Sequence, residues 1–337
     1  MKTYIKEHSI KASSGIANAI FLTIGVGYLL STIGSMSGLG LLTTIGNIAR
    51  VLMAPALGAG IAMMMGANSL TVFSAMVAAS LGGDAIRTTE AGFAIVGGEP
   101  IGALLAGAIA TFVGKRVTGK TPLDMMAVPV AALLVGGVSG IMLAKVMTPF
   151  LTTTSTIISD AVSGSPILGS MILSVLWGLF LMSPASSAAL SVALALNPMA
   201  CGAMLIGTTA QYFSFSIGSL KANDLGGYLA QALCTPKVQL PNIIKNPKLL
   251  IGPTLASAIC APIATVGFGF TTIPAMGGVG FCSFVAPLYI INNNGLGMLA
   301  VYLMCGAILP VAITTGVNAL LKKKAMIKVD DMALVVQ

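Results

Sequence analysis

The sequence predicts an all-α polytopic membrane protein of about 10 transmembrane helices, with re-entrant or broken segments and an internal repeat. Three observations carry this. First, 56% of the 337 residues are hydrophobic and only 8% are charged, against about 25% charged in a soluble chain. Second, mean hydropathy is +0.98, and apolar runs of about twenty residues, the length needed to cross a bilayer, recur from end to end. Third, the 40 glycines suit helices that pack backbone to backbone in lipid.

Taken in order, the apolar runs place spans near 13–34, 38–54, 56–82, 99–116, 126–149, 167–183, 185–217, 249–268 and 296–320. A weaker tenth crossing falls around 225–237. The run 271–291 is apolar but broken by Pro274, Gly277-Gly278 and Pro287, and is expected to be re-entrant. The basic start MKTYIKEHSIK lacks the short apolar core and small-residue cleavage site of a signal peptide, so the first helix is expected to insert the chain. The whole of 1–337 is expected to form one membrane transporter domain.

Lysine and arginine gather at Lys2, Lys6 and Lys11, at Lys115, Arg116 and Lys120, at Lys237, Lys245 and Lys248, and at Lys322, Lys323, Lys324 and Lys328. The positive-inside rule puts all four groups, and both termini, in the cytoplasm. The net charge of +8 is therefore a topology signal, and no direct nucleic-acid partner is expected. The bilayer is the expected surrounding.

Two repeat halves, 38–165 and 166–291, are expected. GLGLLTTIGNIARVLMAP (38–55) aligns with ILGSMILSVLWGLFLMSP (167–184), ending in Pro55 and Pro184. Lys120, Pro122 and Pro129 align with Lys245, Pro247 and Pro253, and between these anchors Glu99 falls opposite Asp224. Carriers built from repeats place the solute between them, at interrupted helices. The orientation of the two halves, parallel or inverted, stays open on sequence grounds.

The charge distribution points to one stretch. Three of the nine acidic residues, Asp84, Glu90 and Glu99, fall within GGDAIRTTEAGFAIVGGEP (82–100), which is too polar to span as a helix. Asp84 and Arg87 are spaced to pair on one helical turn. Glu99 precedes Pro100 at a helix start, where a carboxylate gains from free N–H groups and the helix dipole. One reading is a solvated link with a capping glutamate. The other is a re-entrant hairpin whose carboxylates face a polar cavity, accepting hydrogen bonds from sugar hydroxyls or carrying protons or Na⁺. Gln211 and Tyr212 interrupt an apolar run and are suited either to a hydroxylated ligand or to interhelical hydrogen bonds. Asn292, Asn293 and Asn294 read as a turn at the membrane surface, with Asn293 a candidate solute contact. Arg50 is expected to snorkel, Asn197-Pro198 to break a helix, and Asp160 to lie solvated in a Ser/Thr-rich linker. The substrate-binding candidates are thus Glu99, Asp84, Glu90, Asp224, Gln211 and Asn293.

Other chemistries find no support in the sequence. The one histidine, His8, lies in the polar N-terminal stretch. There is no GxxxxGK[ST] for ATP and no HExxH, and the serines and cysteines lack a usable base. The five cysteines, Cys201, Cys234, Cys260, Cys282 and Cys305, lie in or beside apolar runs without metal-ligand spacing. No cofactor, metal or autonomous catalytic site is expected.

GGEPIGALLAGAIATFVGK (97–115) and KTPLDMMAVPVAALLVGG (120–137) resemble the PfoR-like branch of the phosphotransferase-system membrane subunits, the EIIC-like family. The resemblance extends over most of the chain. It implies sugar transport in a bacterial inner membrane, a homodimer, and a solute site built from re-entrant hairpins, with Glu99 before Pro100 matching an acidic-proline step that contacts sugar. Phosphorylation coupled to transport would need soluble phosphotransferase components supplied separately. No histidine lies in an apolar run, where family members often place one near the sugar. The name of the branch also raises an alternative, a membrane-embedded regulator of gene expression acting through a partner. A third reading is an ion-coupled carrier unrelated to phosphotransfer.

Overall fold

The computed structural model describes residues 11–12, 15–16, 18–89, 92–183 and 186–334. Glu90, His8, Lys2, Lys6 and Pro184 lie outside the described residues. The fold is predominantly helical and divides into two compact units, Met1–Thr154 with Val192–Leu194, and Ser155–Ser191 with Ala195–Gln337.

The first unit opens on α1 (Gly27–Ser37), which continues a π-helical turn at Phe21–Val26. Gly38, at φ +73°, ends it. The helices α2 (Gly40–Val51) and α3 (Met53–Met64) meet at a 62° bend. The expected span 56–82 is divided, because Asn68 caps a new helix, α4 (Ser69–Gly82), by accepting from Thr71 N–H at 2.9 Å. Two strands follow, β1 (Ile86–Thr89) and β2 (Gly92–Ile95), then α5 (Pro100–Val117) and α6 (Asp124–Gly164). Glycine lets these helices approach closely. A Cβ on Gly58 would lie 2.2 Å from Ala75 O, one on Gly102 2.1 Å from Gly82 O, and one on Gly136 2.6 Å from Ala110 Cβ. Arg50 does not stand alone. It donates to Tyr28 OH at 2.8 Å and its guanidinium lies 3.8 Å from the centre of that ring.

The helix α6 runs on past Thr154 into the second unit. That unit continues with α7 (Pro166–Met182), α8 (Ser187–Leu194, whose last three residues belong to the first unit), α9 (Pro198–Ser219), α10 (Leu225–Leu229), α11 (Leu240–Lys245), α12 (Ile251–Pro262), α13 (Pro274–Gly277), α14 (Val285–Leu303) and α15 (Leu309–Lys323). Its centre is α9, buried along nearly its whole length. Neighbours reach α9 through small side chains. A Cβ on Gly207 would lie 2.1 Å from Ser174 O. Thr209 pairs with Tyr302 OH at 2.9 Å, and Ser214 with Thr314 at 2.7 Å. As expected, Asn197-Pro198 breaks the chain. Ala195 takes φ +44°, and Asn197 accepts from Ala200 N–H at 2.8 Å to start α9.

Several expectations are corrected. Five helices among the described residues are long and apolar enough to cross a membrane, or six with the bent pair as one span, against the ten or so expected. The weak span at 225–237 is instead a chain of short α-, π- and 3-10 turns ending in Pro236. Asp160 is an exposed residue of α6, not of a linker. Residues 285–291 belong to a helical stretch running to Lys323, so only the part up to Phe284 is irregular, with Ser283 and Phe284 at φ +46° and +61°. Asn292–Asn294 lie inside α14, and the break comes after them, at Gly295 (φ +82°). The fold is all-α as expected, with one short two-stranded antiparallel ribbon of β1 and β2. The ribbon overturns the Asp84–Arg87 helical turn. Asp84 takes φ +49°, and Arg87 is in a strand opposite Ala94.

Candidate functional site

The polar stretch 82–100 is a closed ribbon between two apolar helices. The β1–β2 ladder, from Thr89–Gly92 to Ile86–Ile95, continues toward the helices through Val96 N–H to Ala85 O at 2.8 Å and Glu99 N–H to Gly83 O at 2.6 Å. The second of these bonds is out of the ladder's register by one residue, and the extra residue lies in Gly97-Gly98. Gly98 takes φ +70°, and a Cβ there would lie 2.8 Å from both Ala85 Cβ and Gly83 O. Only glycine fits such a bulge without strain. The bulge turns the chain so that Glu99 opens α5.

Glu99 is half-buried, and its carboxylate accepts from Ile101 N–H at 2.5 Å and Gly102 N–H at 2.6 Å, with Pro100 as the first helical residue. Pro100 contributes no N–H and has φ set for the helix, so the first free donors are those two. The N–H groups and the helix dipole favour the anion, while partial burial opposes it. Each carboxylate oxygen keeps further acceptor capacity. Around it lie Gly83, Gly102 and Ala103, without bulky side chains; a Cβ on Gly83 would lie 2.8 Å from Glu99 O. Asp84, exposed, stands beside Gly83 at the base of the same ribbon.

The other candidates occupy the second unit, each with its own partners. Asp224 is exposed and caps α10 by accepting from Gly227 N–H at 2.8 Å. Asp224 and Glu99, aligned in sequence, are both carboxylate caps. Gln211 is fully buried, and its amide donates to Ser257 Oγ at 3.2 Å while its Oε1 has no partner. Tyr212 OH donates to the Cys234 and Val279 carbonyls, both at 3.2 Å. These two are interhelical ties. Asn293 is exposed and donates back to Tyr289 O at 2.8 Å.

A second feature of this unit overlaps the run 271–291 that the sequence marks as broken. Residues 268–273 form an extended segment between a π-helical turn and α13. Its polar backbone is tied by Phe270 N–H to Ala264 O at 2.9 Å and Thr272 N–H to Pro198 O at 3.1 Å, while Ser187 donates to Gly278 O at 2.8 Å and Ser191 to Pro274 O at 2.5 Å. Such irregular backbone persists within an apolar fold only when its polar groups are satisfied by protein. The serines of SSAALS (186–191) were the available signal. No group of residues able to hold a metal ion occurs among the described residues.

Long apolar helices leave large side chains on the outside, such as Leu41 at 73% and Met125 at 81% exposure, as a bilayer allows and water does not. The chain is an integral membrane protein. It belongs to the family of phosphotransferase-system EIIC subunits, whose model matches residues 10–334. No curated protein matches it. Membership makes it a membrane transport component of the phosphotransferase-system type.

Proposed function

We propose that the chain carries a sugar or a similar hydroxylated solute across a bacterial inner membrane, with both termini cytoplasmic, as one subunit of a homodimer. Within the family, the GGEP and KTPLD segments support placement in the PfoR-like branch. The observation that carries the reading is Glu99, a half-buried carboxylate fixed by two backbone N–H groups at the start of an apolar helix. A carboxylate so anchored accepts hydrogen bonds from vicinal hydroxyls without having to reorganise. Asp84 at the ribbon base is the proposed second contact. Glu90, outside the described residues, completes the acidic group proposed from sequence. Asp224, Gln211 and Asn293 are weaker proposals, because a cap, an interhelical bond and a helical back-bond account for them.

Phosphoryl transfer, where it is coupled to transport, requires a donor on a separate soluble protein. The solute hydroxyl oxygen then attacks phosphorus, the bond to the donor breaks, and Glu99 is the proposed base for the hydroxyl proton. Purified protein in proteoliposomes, screened with labelled sugars, organic acids and cations, tests the proposal. Saturable uptake of a sugar is expected; transport of cations alone would replace this reading with an ion carrier.

A further inference from the structure

Residues 326–334 follow α15 and contain only one 3-10 turn, Asp330–Met332. What holds them is a row of side-chain amides on the interrupted segment 223–246. Asn246 donates to Met326 O at 3.2 Å and to the Asp331 carboxylate at 2.9 Å. Met332 O accepts from Asn223 at 3.0 Å and from Gln239 at 2.9 Å. Ala333 O accepts from Asn242 at 2.9 Å, and Leu334 N–H donates to Asn223 Oδ1 at 2.7 Å. The amides are also joined to one another. Asn242 donates to Gln239 at 2.8 Å, Gln239 to Gln231 at 2.9 Å, and Gln231 to Ser219 Oγ at 2.8 Å. Beneath this row, Ile327 and Met332, each 2% exposed, enter a cluster with Phe215, Ile243, Leu249 and Leu321.

The same amides serve the tail and the segment. With the tail withdrawn, donors on Asn223, Gln239 and Asn242 lose carbonyl partners together, and the places of Ile327 and Met332 in the cluster open. Buried donors without partners are costly, and linked amides fail together. The segment itself is a set of short turns broken at Pro236 and Pro247, with little helix to sustain it alone. We propose that residues 326–334 are a latch that fastens the segment 223–246, which therefore has two states, clasped and released, set by whether the tail is seated. The inference does not depend on the solute reading.

Hydrogen exchange on the reconstituted full chain tests it, against a form ending at Ala325 and against the full-length variants Asn223→Ala and Met332→Asp. Exchange across 223–246 is expected to rise roughly tenfold or more, as for the loss of one to two hydrogen bonds, with 100–117 unchanged. A synthetic peptide of residues 325–334 is expected to restore protection to the shortened form. Unchanged exchange at 223–246 in both full-length variants would overturn the latch. So would a uniform rise over all helices, or a peptide without effect on the shortened form.

Discussion

Glu99 and Gln211 are both polar residues in apolar surroundings, and their geometry separates them. Glu99 spends its carboxylate on two N–H groups at a helix start and keeps acceptor capacity. Gln211 is enclosed by Ser257 and by Gly178, where a Cβ would come within 2.7 Å of its amide nitrogen. An interhelical bond of this kind in a membrane protein contributes about 0.6 kcal/mol on average, and Gln211→Met also removes the partnerless Oε1. The variant is expected to change thermal stability by less than about 1 kcal/mol and to leave uptake intact; uptake falling while stability holds would make Gln211 a solute contact. The Glu99 cap was legible because glutamate, proline and the following apolar run are neighbours in sequence. Asp84 and Arg87 were misread because the pairing of Arg87 with Ala94 is decided by chain closure, which three-residue spacing does not reveal. Asn292–Asn294 were read as a turn from composition, yet helix persists through them and yields only at Gly295.

At the scale of elements, the ribbon and the helices flanking it form one construction. α4 ends at Gly82 and α5 begins at Pro100, and each glycine of the pair Gly82 and Gly102 meets the other's carbonyl. Gly102→Ala adds a methyl group that must push α4 and α5 apart, at a cost of about 1–3 kcal/mol for overpacking. A clear fall in melting temperature in detergent is expected, and an unchanged value would mean that the two helices are free to separate there. Long apolar helices were legible, but their lengths were not. α6 passes through Pro129 and Pro149 as a single 41-residue helix, because proline in an apolar helix is tolerated where neighbouring groups re-satisfy the backbone. Conversely, 225–237 is apolar enough to suggest a crossing, but a π-helical turn at Ala230–Cys234 and Pro236 divide it. The amide ladder on the tail was invisible in sequence, since Asn223 and Leu334 are far apart in the chain and side-chain amides carry no periodic signal.

At the scale of the molecule, composition and glycine content made the membrane class plain, and the GGEP and KTPLD segments led to the family that the match over residues 10–334 establishes. The boundary between the two units at Ser155 falls inside α6, and the repeat halves 38–165 and 166–291 stand as a proposal from sequence. Glu99 and Asp224, aligned in sequence, each cap a helix. The proposed transport rests on contact between Glu99 and the solute, and Glu99→Gln isolates that contact. The amide oxygen keeps one of the two cap bonds and the NH2 replaces the acceptor of the other, so the comparison is made at matched stability, with the charge and one acceptor lost. Uptake of the transported sugar into proteoliposomes, measured for wild type and Glu99→Gln at matched thermal stability, is expected to fall at least about tenfold, as for one charged hydrogen bond of about 1.5–3 kcal/mol. Undiminished uptake in the variant would contradict the claim.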